Sequence, residues 1–126
     1  MSQFRAACIQ NTASRDIAAN IAWVCARIEE AVAGGAEFIA LPETVGLIER
    51  VNARRPAATS SETDDAGLAA FRASAAQHKV VILVGSQLIS EQGKIYNRSF
   101  LLGPEGEILA RYNKLHMFDI ELKNGE

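Results

Sequence analysis

The sequence predicts an α/β protein built on a mixed sheet. Short apolar segments that suit strands alternate with two segments of helical periodicity, in the order β-α-β-α-β-β-β. In the opening strand–helix–strand unit a helix forms the crossover connection, which favours parallel strands. A short turn of sequence Gly-Pro-Glu-Gly joins the last two strands, which favours antiparallel pairing. Both kinds of pairing within one chain indicate a mixed sheet.

The first unit begins with a mainly apolar strand over residues 4–10. Either Ser14 or Asp16 suits the N-cap of the helix that follows. One face of this helix carries apolar side chains at spacings of three and four, namely Ile17, Ile21, Val24, Ile28 and Ala31. A Gly-Gly pair then suits a left-handed C-terminal cap. The second strand, residues 38–41, ends at Pro42 because proline has no backbone N–H to donate.

The remaining elements follow a loosely patterned segment, residues 44–65, whose length is typical of functional loops. An alanine-rich helix then presents one apolar face, marked by Leu68, Phe71 and Ala75. Residues 80–84 are entirely aliphatic and predict a strand that is buried on both faces. Two further strands over residues 95–102 and 108–112 complete the predicted fold as an antiparallel hairpin.

Composition describes an ordinary globular domain and excludes several classes of protein. The chain has 126 residues, 48% hydrophobic and 22% charged, with a net charge of −2, which excludes intrinsic disorder and indicates no nucleic-acid partner. The longest aliphatic run is five residues, far below the roughly 20 that span a membrane, so no membrane association is predicted. Two cysteines form no disulfide framework, and two histidines show no metal-ligand spacing. We therefore expect one cytoplasmic domain without a metal or other cofactor.

Candidate functional residues lie where polar side chains follow predicted strands, at positions 10–12, 43–44 and 113–114. Glu43 follows an apolar strand and a rigid proline, so a raised pKa and a general-base role are expected, against the alternative of a solvated glutamate. Lys114 lies among apolar and aromatic residues and can stabilise a developing negative charge, against the alternative of a surface lysine. Cys8 and Cys25 lie inside a strand and a helix, which indicates packing rather than nucleophilic chemistry.

Four ordered segments resemble the nitrilase (carbon–nitrogen hydrolase) superfamily. They are the opening strand ending at Gln10 with Asp16 and Asn20 after it, the run Gly-Ala-Glu-Phe-Ile-Ala-Leu-Pro-Glu ending at Glu43, Tyr96-Asn97 before the hairpin, and Tyr-Asn-Lys-Leu-His-Met-Phe-Asp over 112–119. The last segment is most similar to nitrilase-like amidases that hydrolyse ω-amides and deaminated glutathione. The resemblance covers essentially the whole sequence.

The resemblance implies a Glu–Lys–Cys triad acting on a small amide or nitrile. Glu43 matches the general base, and Lys114 matches the lysine that stabilises the tetrahedral intermediate. A cysteine nucleophile would form a thioester that water then hydrolyses, without a metal or cofactor. The implied fold is the N-terminal half of an αββα sandwich, a mixed sheet with helices on one face, and the full-length enzymes commonly form homo-oligomers.

The nucleophilic cysteine of the family lies a few dozen residues beyond the lysine, whereas this sequence ends twelve residues after Lys114. Neither Cys8 nor Cys25 matches its motif. We therefore expect residues 1–126 to be the N-terminal part of a single carbon–nitrogen hydrolase domain, truncated before the nucleophile and inactive alone. The alternative is a stand-alone, non-catalytic α/β domain that binds a partner or a small anionic ligand, the latter at the loop 12–14 before the first helix.

Overall fold

A computed structural model describes residues 3–116 as a five-stranded sheet with helices. The strands are β1 (Ala6–Cys8), β2 (Phe38–Ala40), β3 (Val81–Glu91), β4 (Lys94–Leu102) and β5 (Ile108–Asn113). The helices are α1 (Ile17–Ala33), the short α2 (Arg55–Ala58) with a 3₁₀ turn (Asn52–Arg54) before it, and α3 (Ala66–His78). No helix in this part of the chain is long and apolar enough to cross a membrane.

The strands lie side by side in sequence order, from β1 to β5. β1, β2 and β3 are parallel, with Ala7 opposite Ile39 and Ile39 opposite Ile82. β3, β4 and β5 are antiparallel to their successive neighbours. The predicted α/β class, the parallel opening unit and the antiparallel hairpin are therefore confirmed.

The ends of α1 follow from local chemistry. Asp16 is the N-cap, and its carboxylate accepts a hydrogen bond from the Ala19 N–H at 3.0 Å. At the other end Gly35 adopts a φ of +85°, which a residue with a β-carbon rarely adopts. The N–H groups of Gly35 and Ala36 then satisfy the last helical carbonyls. Of the two predicted N-caps the structure uses Asp16, and of the two glycines Gly35 takes the left-handed conformation.

The core lies on one face of the sheet, under α1 and α3. Fully buried side chains from both helices pack against alternate strand residues, namely Val24, Ile28, Leu68, Phe71, Ile39, Ile82, Val84, Phe100 and Leu102. Val81 and Leu83 point to the other face of β3 and remain partly exposed. The prediction that residues 80–84 are buried on both faces is therefore wrong for the part of the chain described, because its helices cover one face only.

β3 is longer than the sequence predicts. It continues beyond residue 84 to Glu91 and turns directly into β4 through Gln92 and Gly93, with φ values of +51° and +76°. Positive φ at both central residues is the geometry of a tight two-residue hairpin turn. β3 therefore pairs with β2 in parallel near its start, and it pairs with β4 in the antiparallel sense along most of its length.

Candidate active site

Glu43 lies in a turn that is fixed to the middle of β3. Ser86 Oγ accepts a hydrogen bond from the Thr44 N–H at 2.8 Å, and the Ser86 carbonyl accepts one from the Val45 N–H at 3.1 Å. Gln87 Oε1 accepts from the Gly46 N–H at 3.0 Å. Three successive backbone N–H groups of the turn thus donate to β3. These bonds hold the backbone that carries Glu43 at the carboxyl end of β2.

The turn approaches β3 closely because β3 has a glycine at the contact. A β-carbon on Gly85 would lie 2.5 Å from the Pro42 carbonyl carbon, which is far inside van der Waals contact. The pairing of β3 with β4 also shifts register between Val84 and Gln87, so the regular ladder is interrupted beside the turn. Thr44 adopts a φ of +48°, a conformation that a β-branched residue adopts only when its surroundings impose it. The residue after Glu43 therefore carries local backbone strain.

Lys114 follows β5 and reaches the same place. Its backbone N–H donates to the Asn97 carbonyl at 2.9 Å, which extends the pairing of β4 and β5 by one residue. Its ammonium group donates to Glu43 Oε1 at 2.9 Å. The structure therefore brings together the two residues predicted from the sequence, although 71 positions separate them in the chain.

Asn97 is a third member of this cluster, and the sequence alone did not mark it as a site residue. Its side-chain amide donates from Nδ2 to Glu43 Oε1 at 2.7 Å. Asn97 is buried, with a relative exposure of 9%, and lies within β4. Asparagine is depleted in strands, so an asparagine inside the strand predicted over residues 95–102 was an available signal.

The electrostatics of Glu43 differ from the expectation. The hydrogen bond from Lys114, and next that from Asn97, hold the pKa of Glu43 below its usual value, and the weaker effect of burial opposes them. The side chain of Glu43 is 58% exposed, so desolvation is slight. The expectation of a raised pKa is therefore wrong for the described chain, in which Glu43 is an ionised carboxylate paired with a cation.

A buried arginine anchors the opposite face of β4. Arg98 follows Asn97 and its guanidinium donates to Asn113 Oδ1 at 2.7 Å, Glu62 Oε2 at 2.9 Å and Glu91 Oε2 at 3.0 Å. The hydrogen bond from Arg111, and then that from Arg98, also hold the pKa of Glu62 below its usual value despite burial. These bonds join the loop before α3 to β3, β4 and the end of β5, immediately before Lys114.

The other candidate groups take structural roles. Asn11 Nδ2 donates to the Val45 carbonyl at 3.0 Å and so supports the turn. Before α1, the Ser14 N–H donates to Asn20 Oδ1 at 3.0 Å, and the negatively charged Asp16 caps the helix. Both features disfavour an anion at this loop, since a donor is already used and the cap is itself anionic.

The two cysteines take no part in the hydrogen bonds of this cluster among the described residues. Cys8 is exposed and pairs with Ala40 across β1 and β2, so the expectation that its side chain is packed is wrong for the described chain, whose helices cover one face of the sheet only. Cys25 lies on α1, where its sulfur accepts a weak hydrogen bond from Ser74 Oγ at 3.8 Å. Neither is hydrogen-bonded to Glu43 or Lys114 within residues 3–116. In that same range no three side chains of His, Cys, Asp or Glu gather as a metal site.

The chain is similar to known proteins both in sequence and in fold. Over 99% of its length the chain is 32% identical to a deaminated glutathione amidase of Synechocystis, and over 97% it is 30% identical to human omega-amidase NIT2. Alignments with these relatives span 46% and 44% of their lengths, so the chain spans about half the length of the curated relatives it matches.

Solved structures show the same fold. The NitN amidase of Nesterenkonia superposes with a TM-score of 0.80 at 25% identity, over 98% of this chain and 48% of that one. The NitFhit protein of C. elegans superposes with a TM-score of 0.82 at 24% identity, over 91% of this chain and 28% of that one. These likenesses confirm the predicted nitrilase-like fold. The profile of the carbon-nitrogen hydrolase family matches residues 5–126, and the chain belongs to this family.

Proposed function

We propose that this chain supplies the general base and the oxyanion-stabilising cation of an amidase that hydrolyses a small amide through a cysteine thioester. The observation that carries the proposal is the contact between Lys114 Nζ and Glu43 Oε1 at 2.9 Å. This contact supports the proposal, because a carboxylate and an ammonium group at the carboxyl ends of the strands could act on one bound substrate, the first on a proton and the second on the developing charge. The amidase names of the relatives support an amide as substrate.

The proposed reaction begins when a cysteine thiol gives its proton to Glu43. The resulting thiolate attacks the amide carbon, and negative charge develops on the carbonyl oxygen, where Lys114 stabilises it. Protonated Glu43 then gives its proton to the leaving amine as the carbon–nitrogen bond breaks, and a thioester remains. Glu43 next takes a proton from a water molecule, which attacks the thioester carbon. As the carbon–sulfur bond breaks and the acid is released, Glu43 returns this proton to the sulfur, which restores the thiol and the carboxylate.

We propose that the thiol comes from a cysteine outside this 126-residue chain. Cys8 is exposed on β1, Cys25 of α1 is hydrogen-bonded to Ser74 of α3, and neither is hydrogen-bonded to Glu43 among the described residues. In the family that the sequence resembles, the nucleophile lies beyond the lysine, which supports this proposal. On this proposal the 126-residue chain contributes two of three catalytic groups, and turnover requires the complete domain.

The test is substitution of the pair in the complete protein, assayed for ammonia release from small primary amides. Glu43→Gln removes the base and is expected to lower kcat by roughly 10²–10⁴-fold. Lys114→Ala is expected to lower kcat more than it raises KM, because charge on the oxygen develops mainly in the transition state.

A matched control is a second lysine–glutamate pair, seen among the described residues at the same N–O distance. Lys79 Nζ and Glu105 Oε2 are also 2.9 Å apart, both side chains are exposed, and Glu105 lies in the turn between β4 and β5. Glu105→Gln and Lys79→Ala are expected to leave kcat unchanged. A folded Glu43→Gln enzyme with near-normal kcat would refute the assignment of the base.

A further inference from the structure

We propose that Asn97 is a positioning residue that selects which oxygen of Glu43 takes the proton. Asn97 and Lys114 together occupy Oε1, and this leaves Oε2 as the basic oxygen. The proposal rests on the proposed role of Glu43 as the base. It goes further by naming the residue that orients this base and the oxygen that reacts.

The hydrogen bonds of Glu43 are unevenly divided between its two oxygens. Oε1 accepts from Asn97 Nδ2 at 2.7 Å and from Lys114 Nζ at 2.9 Å. Oε2 has no hydrogen-bond partner among residues 3–116. A carboxylate oxygen offers about two acceptor sites, so Oε1 is saturated by these donors. A proton that arrives at Glu43 therefore goes to Oε2, and the carboxylate cannot rotate without breaking both bonds.

Asn97 is itself held rigidly enough to impose this orientation. Its relative exposure is 9%, and its backbone carbonyl accepts the Lys114 N–H at 2.9 Å. The next residue, Arg98, points to the opposite face of the sheet and makes three charge-assisted hydrogen bonds there. Asn97 therefore contacts both members of the catalytic pair from a strand that is anchored on its other side.

The asparagine also carries an unmatched polar atom. Its Oδ1 is buried and has no hydrogen-bond partner within the described residues. A buried acceptor without a donor is destabilising, and such groups are uncommon in folded proteins. An aliphatic residue would avoid this cost, so the amide is best explained by what its Nδ2 does. That contact is the hydrogen bond to Glu43.

Two substitutions test the proposal in the complete protein, with the pH dependence of kcat/KM on a small primary amide such as butyramide as the readout. Asn97→Leu keeps the approximate volume and removes the donor. Asn97→Asp keeps the shape and adds a negative charge beside Glu43. Because the hydrogen bond favours the ionised carboxylate, its loss raises the pKa of Glu43. We expect the acid limb to move to higher pH in both variants, further in Asn97→Asp, with kcat at least about tenfold lower.

The control is Phe71→Leu. Phe71 is a fully buried core residue of α3 on the helical face of the sheet, and it has no part in the turn that carries Glu43. This variant is expected to lose stability without moving the acid limb. It therefore separates a general loss of packing from a change at the base.

Each outcome is decisive. A folded Asn97→Leu or Asn97→Asp enzyme with the wild-type acid limb and kcat overturns the positioning role. Failure of both variants to fold assigns Asn97 to stability and overturns it as well. Retained turnover in Glu43→Gln instead refutes the proposed base, whereas an inactive Glu43→Gln beside unaffected Asn97 variants refutes only the inference about Asn97.

Discussion

Substituting Gly85 by alanine tests whether the turn that carries Glu43 is held against β3 as the structure indicates. Gly85 has a backbone conformation open to other residues, so the effect of alanine comes from the added methyl group and not from φ. Its β-carbon would meet backbone atoms of Leu41 and Pro42, which cannot rotate away as a side chain could. The turn or the strand must therefore move.

The size of this movement follows from the contact. The new β-carbon would lie 2.5 Å from the Pro42 carbonyl carbon, whereas nonbonded carbons are optimally about 3.5–4.0 Å apart. Relief thus requires a displacement of about 1 Å at the residue before Glu43. Overpacking of this kind costs about 1–3 kcal/mol of unfolding free energy. A misplacement of about 1 Å lowers an enzymatic rate by about 100-fold.

Urea denaturation and amide hydrolysis by the complete protein measure the two effects. Gly93→Ala is the matched control, because nothing lies within 4 Å of its added β-carbon although its φ is +76°. The left-handed conformation costs that variant about 1–2 kcal/mol, with no change in kcat expected. Gly85→Ala with a stability within about 0.5 kcal/mol of wild type and an unchanged rate would refute this account of the turn.

Two further predictions concern stability. Glu62→Gln is expected to lower the unfolding free energy by about 1.5–3 kcal/mol at pH 7, since Arg98, only 7% exposed, loses a charged partner. Because the pKa of Glu62 is lower in the folded state, this contribution to stability is present above the unfolded-state pKa and is lost as pH falls through the folded-state pKa. Urea melts in which wild type and Glu62→Gln differ in stability by the same amount at pH 7 and at pH 3 would contradict it. Burial raises the pKa of Asp65, the N-cap of α3, above that of the unfolded chain. Protonated Asp65 therefore stabilises the fold at low pH, and this contribution is lost as pH rises through the folded-state pKa. Asp65→Asn, which retains the cap acceptor, is therefore expected to equal or exceed wild type in stability at pH 7, whereas Asp65→Ala loses about 1 kcal/mol; an Asn variant as unstable as the Ala variant would contradict this.

The elements that the sequence predicted well carry local signals. Asp16 and the glycine pair mark the ends of α1, and the Gly-Pro-Glu-Gly turn marks the last hairpin. The second half of β3 was missed because its polar residues, Ser86 and Gln87, break the aliphatic run. These residues are buried in the structure because they bind the backbone of the Glu43 turn. Such burial depends on a segment some 40 residues away, which no local pattern reveals.

The site was predicted in part for the same reason. Glu43 and Lys114 stand at strand ends and match family motifs, so both could be selected, and the structure joins them. The partnership of Asn97 with Glu43 depends on the register of β4, and the anchoring by Arg98 depends on a loop before α3. The prediction that the pKa of Glu43 is raised was wrong, because the shift depends on the exposure of Glu43 and on two donors distant in sequence, Lys114 and Asn97.

The order and direction of the strands explain why residues so far apart meet. β2 and β3 are parallel, β4 reverses the direction, and β5 reverses it again, so β5 runs in the same sense as β2. Glu43 after β2 and Lys114 after β5 therefore leave the same edge of the sheet, while β4, which enters there, presents Asn97 near its start. Inserting or deleting one residue in β4 would turn Asn97 to the helical face and Arg98 to the other, because strand side chains alternate. The hydrogen bonds of Arg98 and the contact of Asn97 with Glu43 thus depend on one register of β4, and a shift by one residue would break both.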